Sequence, residues 1–239
     1  SRGLGDVYKR QVIAFGHNPA TLQKALDKGA ADTVTTSMEE AVKDADIVVS
    51  AVPVEAMESV FTEMAPFLKS DAVVTDVGST RQTVIAAARK GLGDKFHQYA
   101  PAHPIAGGEM PGVDYASADL FDEKVVISTP DEGMDPKVVT FIEEAWRKAG
   151  ARVQAMSPLQ HDLTFASVSH LPHVLAYALV DMIAREENAQ EKLKMAGAGF
   201  RDFTRIASSS PVMWRDICLS NREALSHELK RYRACLLYT

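Results

Sequence analysis

The residues with the types and spacing to do chemistry begin at His103-Pro104-Ile105-Ala106-Gly107-Gly108-Glu109-Met110-Pro111-Gly112. This stretch follows Gln98-Tyr99-Ala100-Pro101-Ala102, a short apolar run that reads as the end of a strand. Pro104 fixes its own φ and biases His103 toward extended backbone, so the main chain holds an imidazole at the rim of a sheet. The glycines let backbone approach a bound molecule with no Cβ in the way. In open α/β sheets, ligands sit at the carboxyl ends of strands. A His-Pro turn with a solvated ring is the other reading of the same residues.

Three more groups of residues fit the same chemistry. Asp76-Val77-Gly78-Ser79-Thr80-Arg81 ends one strand and starts a helix. Ser79 either caps that helix or offers its hydroxyl to the crevice above the sheet. In Ser169-His170-Leu171-Pro172-His173, a proline inside a helical pattern predicts a kink and a freed carbonyl. His170 and His173 are three apart and suit polar ligand contacts better than a metal, since no third ligand has diagnostic spacing; satisfied core histidines are the alternative. In Gly199-Phe200-Arg201-Asp202-Phe203-Thr204-Arg205-Ile206-Ala207, Arg205 sits beside apolar neighbours and is suited to gripping a planar carboxylate. Ser208-Ser209-Ser210-Pro211 follows, and Met213-Trp214 supplies an apolar wall with an indole donor.

The elements that must position these groups change character along the chain. Apolar β-type runs at 12–16, 30–34, 46–52, 72–77, 124–129 and 152–156 alternate with helical patterns up to Ala149. Pro19 opens one helix, and Ser37 with Glu40 forms a capping box for the next. Continuous apolar strands alternating with helices predict a parallel sheet covered on both faces, a doubly wound α/β domain of the dinucleotide-binding type over 12–156. Its first strand and Gly-rich turn are expected to be missing, because Val12–Gly16 looks like the second strand of that fold. From Ser157 the strands stop, and an all-helical domain is expected over 157–233, with helices at 157–184, 189–198 and 220–233. The first of these is apolar almost all round, which predicts burial in a bundle or at a subunit interface. Residues 1–11 and 234–239 break the texture and read as non-native ends, and Gly3-Leu4-Gly5 is not a phosphate loop.

Composition narrows the classes. Of 239 residues, 26 are basic and 32 acidic, with the basic residues scattered, which argues against nucleic-acid binding. Cys218 and Cys235 form neither a disulfide framework nor a metal motif. No continuous apolar run reaches the roughly 18 residues of a membrane span, and no signal peptide is visible. A cytoplasmic protein with no membrane partner is expected. A nicotinamide-type domain, a histidine at a strand rim and an arginine in a helical domain together suggest hydride transfer from a small anionic substrate.

DADIVVSAVPV (44–54), VVTDVGSTR (73–81), HPIAGGEMPGV (103–113), ADLFDEKVVISTP (118–130), HDLTFASVSHLPH (161–173) and AGFRDFTRIASSSPVMWRDI (198–217) together resemble the prephenate/arogenate dehydrogenase family of tyrosine biosynthesis, closest to its cyclohexadienyl type. The resemblance runs from about 12 to 233 in family order. It implies oxidative decarboxylation of prephenate, arogenate or both, with NAD or NADP. His103 then takes the hydroxyl proton, a task suited to a group that titrates near neutral pH, and Ser79 orients His103 and the nicotinamide. Arg205 holds a substrate carboxylate, His173 contacts the substrate side chain, and Trp214 walls the pocket, with Ser209 and His170 as further substrate contacts. Cofactor contacts are expected from Gly16, His17, Asn18, Val52, Pro53, Asp76 and Ser79. The resemblance also implies a homodimer formed through the helical half.

Two departures from the family pattern qualify this. The phosphate-binding glycines are absent, so this truncated chain is expected to bind cofactor poorly and to be inactive as written. Gly16 stands where many members carry an acid, which removes repulsion against a 2′-phosphate and tilts the preference slightly toward NADP. Other readings are a two-domain reductase of 3-hydroxyacid or pyrroline-carboxylate type, or a metabolite-sensing dimer without turnover.

Overall fold

The computed structural model describes residues 11–108 and 112–238. The Gly3-Leu4-Gly5 pair and residues 109–111 of the His-Pro loop lie outside the described residues. The chain divides into two compact units, Ser1–Pro158 and Leu159–Thr239.

The first unit runs β1 (Ile13–Phe15), α1 (Pro19–Asp27), β2 (Thr33–Thr35), α2 (Met38–Val42), β3 (Ile47–Ser50), α3 (Met57–Met64), β4 (Val73–Asp76), α4 (Gln82–Leu92), β5 (Tyr99–Ala100), β6 (Ala102–Pro104), β7 (Val125–Ser128), α5 (Pro136–Lys148) and β8 (Arg152–Ala155). This is the expected Rossmann-like alternation. Among the described residues the strands pair as β1-β2, β3-β4-β5 and β6-β7-β8. Every pair is parallel except β6-β7.

Local chemistry sets the boundaries. Asn18 caps α1 by accepting from the N–H groups of Ala20 and Thr21, with Pro19 in the first turn. Ser37 caps α2 by accepting from the Glu40 N–H. The reciprocal half of the expected capping box is not observed: the Glu40 carboxylate instead takes the Thr35 hydroxyl at 2.6 Å. The main core lies between the sheet and α3 and α4, where Met57, Phe61, Met64, Val74, Val84 and Tyr99 are buried. The run 46–52 is not the fully buried strand its composition predicts, since Ile47 is 39% and Val49 54% exposed. Periodicity reports an apolar strand but not whether both faces receive a cover.

One extended segment passes from one sheet to the next. Tyr99–Ala100 pairs with β4, and Ala102–Pro104 pairs antiparallel with β7. Pro101 between them has no N–H to give to a ladder. The strand ends at Pro104, as the His-Pro pair leads one to expect. His103 lies opposite Ile127 inside β6, and the Ile105 N–H still reaches the Val125 carbonyl at 2.8 Å.

The second unit is helical: α6 (Pro158–Phe165), a π-helical turn (Ala166–His170), α7 (Leu171–Ala184), α8 (Ala189–Lys194), α9 (Ala198–Thr204), α10 (Pro211–Ser220) and α11 (Arg222–Tyr238). The predicted kink at Pro172 takes a different form. Pro172 falls in the first turn of α7, and the π-helical turn before it absorbs the mismatch. α11 also continues through 234–238, residues set apart on texture alone. Within α7 only Ala176 is buried, so this apolar helix is not a core helix of its own chain. Leu163, Val168 and Met182 are 47%, 66% and 58% exposed. Pro158–Ala184 is a 27-residue helical run containing an 18-residue window of mean hydropathy 1.4, long and apolar enough by length and composition to cross a membrane. No unbroken apolar run marks it in the sequence, because polar residues, several of them buried, are spaced through it.

Candidate active site

In the first unit the residues of interest cluster around one buried ion pair. Asp76 ends β4, fully buried, and Arg81 lies five residues on, also 0% exposed. Arg81 Nη1 and Nη2 donate to Asp76 Oδ1 and Oδ2 at 3.1 and 2.7 Å, a two-pronged grip. Nε donates to the Thr80 carbonyl at 2.7 Å, Nη2 also to the Gly78 carbonyl at 2.7 Å, and Nη1 also to the Ala102 carbonyl at 3.2 Å. The Tyr99 hydroxyl donates to Asp76 Oδ1 at 2.6 Å, and the Gly78 N–H to Oδ2 at 2.7 Å. Burial and the Asp76 carboxylate push the Tyr99 phenol well above its usual range. Gly78 is required by the close approach: a Cβ there would lie 2.7 Å from Arg81 Nη2.

This geometry corrects two expectations. Asp76 has no exposed surface for a cofactor, because Arg81, Tyr99 and the Gly78 amide occupy its oxygens. Ser79 does not cap α4, whose N-cap is Arg81 with no side-chain capping bond. Ser79 instead lies half-buried in the bend between β4 and α4. His103 is likewise half-buried, one residue after the Ala102 carbonyl that Arg81 holds.

The remaining strand-end residues are more open. Gly16 follows β1, half-exposed, and among the described residues a Cβ on it would meet only Leu22 Cδ2, at 3.5 Å in ordinary contact, and Leu22 Cγ beyond it. His17 is exposed with its ring edge-on to Phe15 at 5.4 Å. Asn18 was expected to touch the cofactor, but its side-chain oxygen caps α1. Val52 is half-buried, and exposed Pro53 starts the 3-10 turn Val54–Ala56 after β3.

In the second unit the polar residues sort into a buried set and a stacked pair. His161, Asp162 and His170 are at most 1% exposed. His161 Nδ1 donates to Asp162 Oδ1 at 2.9 Å. The Asn221 amide donates to the Asp162 carbonyl at 2.7 Å and faces His170 Nδ1 at 3.1 Å. Burial lowers the His170 pKa to about 4, so the ring is neutral at ordinary pH. His170 is therefore a satisfied core histidine, and the expected substrate contact is corrected. Ser209 is also buried, its carbonyl accepting from the Tyr177 hydroxyl at 2.6 Å.

His173 is half-buried and stacks on Trp214 with ring centroids 3.5 Å apart and planes at 17°. Its Nδ1 donates to the Ser169 carbonyl at 2.9 Å, one turn back, which leaves Nε2 as an acceptor. Burial lowers its pKa. Trp214 is 8% exposed, and its Nε1 is a buried donor with no hydrogen-bond partner among the described residues. Buried N–H groups are nearly always paired, so an orphan beside an imidazole acceptor marks a place for a polar ligand group. Arg205 follows α9 as the first residue of the 3-10 turn Arg205–Ser208 and is exposed. The guanidinium is thus not enclosed by its apolar sequence neighbours, as their adjacency suggested.

Sequence reasoning missed Arg81, Tyr99, Asn221 and the His161–Asp162 pair. Arg81 carried one signal, an arginine five residues after a strand-ending aspartate, in a stretch read only as the end of a strand and the start of a helix.

Residues 6–155 match the family described as prephenate dehydrogenase, nucleotide-binding domain, and residues 157–237 that described as prephenate dehydrogenase, dimerization domain. The cyclohexadienyl dehydrogenase of Zymomonas mobilis is 39% identical over 215 residues, covering 89% of this chain and 72% of that protein. The prephenate dehydrogenase of Bacillus subtilis is 37% identical over 90% of this chain, which spans 58% of the Bacillus protein's length. Among solved structures, prephenate dehydrogenase from A. aeolicus in complex with hydroxyphenyl propionate and NAD+ superposes with a TM-score of 0.90 at 36% identity. That match covers 97% of this chain and 81% of the other.

Proposed function

We propose, from the premise that this chain belongs to the prephenate dehydrogenase family, that it converts prephenate, arogenate or both by oxidative decarboxylation. The observation that carries the reading is His103, half-buried in a strand whose preceding carbonyl is clamped from below. A nicotinamide dinucleotide, when bound, supplies the acceptor for the hydride on the hydroxyl-bearing ring carbon. The strand end at Gly16 suits such a group, because nothing in the packing of the described residues demands a glycine there. His17, Val52 and Pro53 are the other strand-end residues assigned to hold it, and Ser79 is assigned to orient its amide.

The chain's own residues then have limited tasks. His103 takes the ring hydroxyl proton as the carbon becomes a carbonyl, and the ring carboxylate leaves as carbon dioxide. Aromatisation puts the electron pair back on oxygen, which recovers a proton, so the balance releases none. Orientation matters more than acid strength, since the product ring supplies the driving force. Arg205 is assigned to a substrate carboxylate. The His173 Nε2 acceptor and Trp214 Nε1 donor are assigned to the substrate's polar groups. The exposed apolar side chains Leu163, Val168 and Met182 are assigned to a second copy of the chain in a homodimer.

The test uses the full-length gene product with prephenate or arogenate and NAD or NADP. Reduced-nicotinamide absorbance with matched carbon dioxide release is the expected result. His103→Asn should lower kcat by about 10²–10⁴, and an unchanged kcat removes His103 from the reaction.

A further inference from the structure

The geometry points to Arg81 as a positioning residue that holds His103 and Ser79 in register with one another, an inference that rests on the site reading above. A guanidinium has five N–H donors. Here Nε serves Thr80, the two donors of Nη1 serve Asp76 and Ala102, and the two of Nη2 serve Asp76 and Gly78. Two of the acceptors are telling. The Gly78 carbonyl belongs to the residue just before Ser79, and the Ala102 carbonyl to the residue just before His103. One rigid, planar group therefore fixes the peptide units from which both side chains depart, although they are 24 positions apart in the sequence.

Several features favour geometry over bulk stability as the reason for the pair. Asp76 and Arg81 are both 0% exposed, and a buried ion pair is a poor source of stability because desolvation opposes its attraction. The surroundings are arranged to keep it in one orientation. The Tyr99 hydroxyl and the Gly78 amide fix the carboxylate, and the absent side chain at Gly78 gives Nη2 its room. Ala102 enters β6 directly after Pro101, where no ladder bond from residue 101 is available to set the strand's start. The Arg81 bond to the Ala102 carbonyl supplies that anchor.

Arg81→Lys tests this. A lysine keeps the charge opposite Asp76 but has three donors on one point, and cannot serve both carboxylate oxygens and three carbonyls. With folding verified by circular dichroism, kcat should fall on the order of tenfold or more, with KM for prephenate changed far less. The acidic limb of the kcat/KM pH profile should also shift. In a His103→Asn background the same substitution should cost less than about twofold, because no register is left to set. An equal loss in both backgrounds, or no loss in either, overturns the inference. If His103→Asn itself leaves kcat unchanged, the site reading fails instead, whatever Arg81 does. Should Arg81→Lys not fold, Tyr99→Phe replaces it in the same pair of backgrounds. It removes one hydroxyl bond to Asp76 and should lower kcat by about threefold in the His103 background only; loss in both, or in neither, counts against the inference equally.

Discussion

His173 lies flat on the indole of Trp214, ring centroids 3.5 Å apart, and among the described residues each ring keeps one nitrogen without a hydrogen-bond partner. The imidazole offers an acceptor and the indole a donor. An unpartnered buried donor costs stability in the ligand-free protein, so the pair makes sense only when something completes it. Trp214→Phe keeps an aromatic stack and deletes the donor. We expect KM for the substrate to rise roughly three- to tenfold while the thermal midpoint holds or rises. A lower midpoint with KM unchanged would assign the indole N–H to folding instead.

Arg205 is exposed at the start of a 3-10 turn, so its truncation should be almost silent in stability, within about 0.5 kcal/mol. Arg205→Ala should nevertheless raise KM by about 30-fold or more, the loss of a charge-assisted contact of roughly 2–5 kcal/mol. Chemical denaturation and steady-state kinetics on the same preparation separate the two effects. Normal KM in the variant would place the carboxylate elsewhere.

Among the described residues Gly16 has room for a side chain, since the nearest atom a Cβ would meet is Leu22 Cδ2 at 3.5 Å. Gly16→Asp should therefore fold normally and act on the cofactor alone. A carboxylate beside a ribose 2′-phosphate is repelled, so NADP should weaken by about tenfold or more relative to NAD. Equal effects on both dinucleotides would show that this strand end does not meet the ribose.

His170 gives the helical unit an acid sensitivity whose sign follows from burial. Its pKa is lowered from 6.5 to about 4, so in that window the unfolded chain binds a proton that the folded one refuses. The stability from a neutral, buried ring is complete above pH 6.5 and is lost as pH falls to about 4, on the order of 3 kcal/mol in all. Urea titrations of the wild type and of His170→Asn at pH 7, 5 and 4 should show their difference shrinking by that amount. A constant difference would mean that the ring is already charged when folded.

Much of the architecture was legible because its causes are local. Pro19 and Ser37 mark helix starts through their own backbone chemistry, and His103-Pro104 declares extended main chain. The site was legible only in part, because burial is decided at long range. Asp76 and Ser79 share a strand end that reads as open, but Tyr99, 23 residues from Asp76, closes it over the carboxylate. His170 and His173 look equivalent three residues apart. Asn221 claims the first and Trp214 stacks on the second, and neither partner is near in sequence. Arg205 errs the other way, since apolar neighbours along the chain do not enclose a side chain that points off a turn.

The π-helical turn Ala166–His170 amounts to one residue more than a regular helix needs. The wider turn takes up that residue locally, so a one-residue deletion within it would restore ordinary winding and leave the helix on either side near its present phase, with His173 still over the indole face. A one-residue deletion in the regular winding between His173 and Met182 has no surplus to draw on, and would turn everything beyond it by about 100° with an axial slip of about 1.5 Å. The apolar stripe that ends in Met182 thus tolerates a lost residue in one turn of this helical run and not in the next.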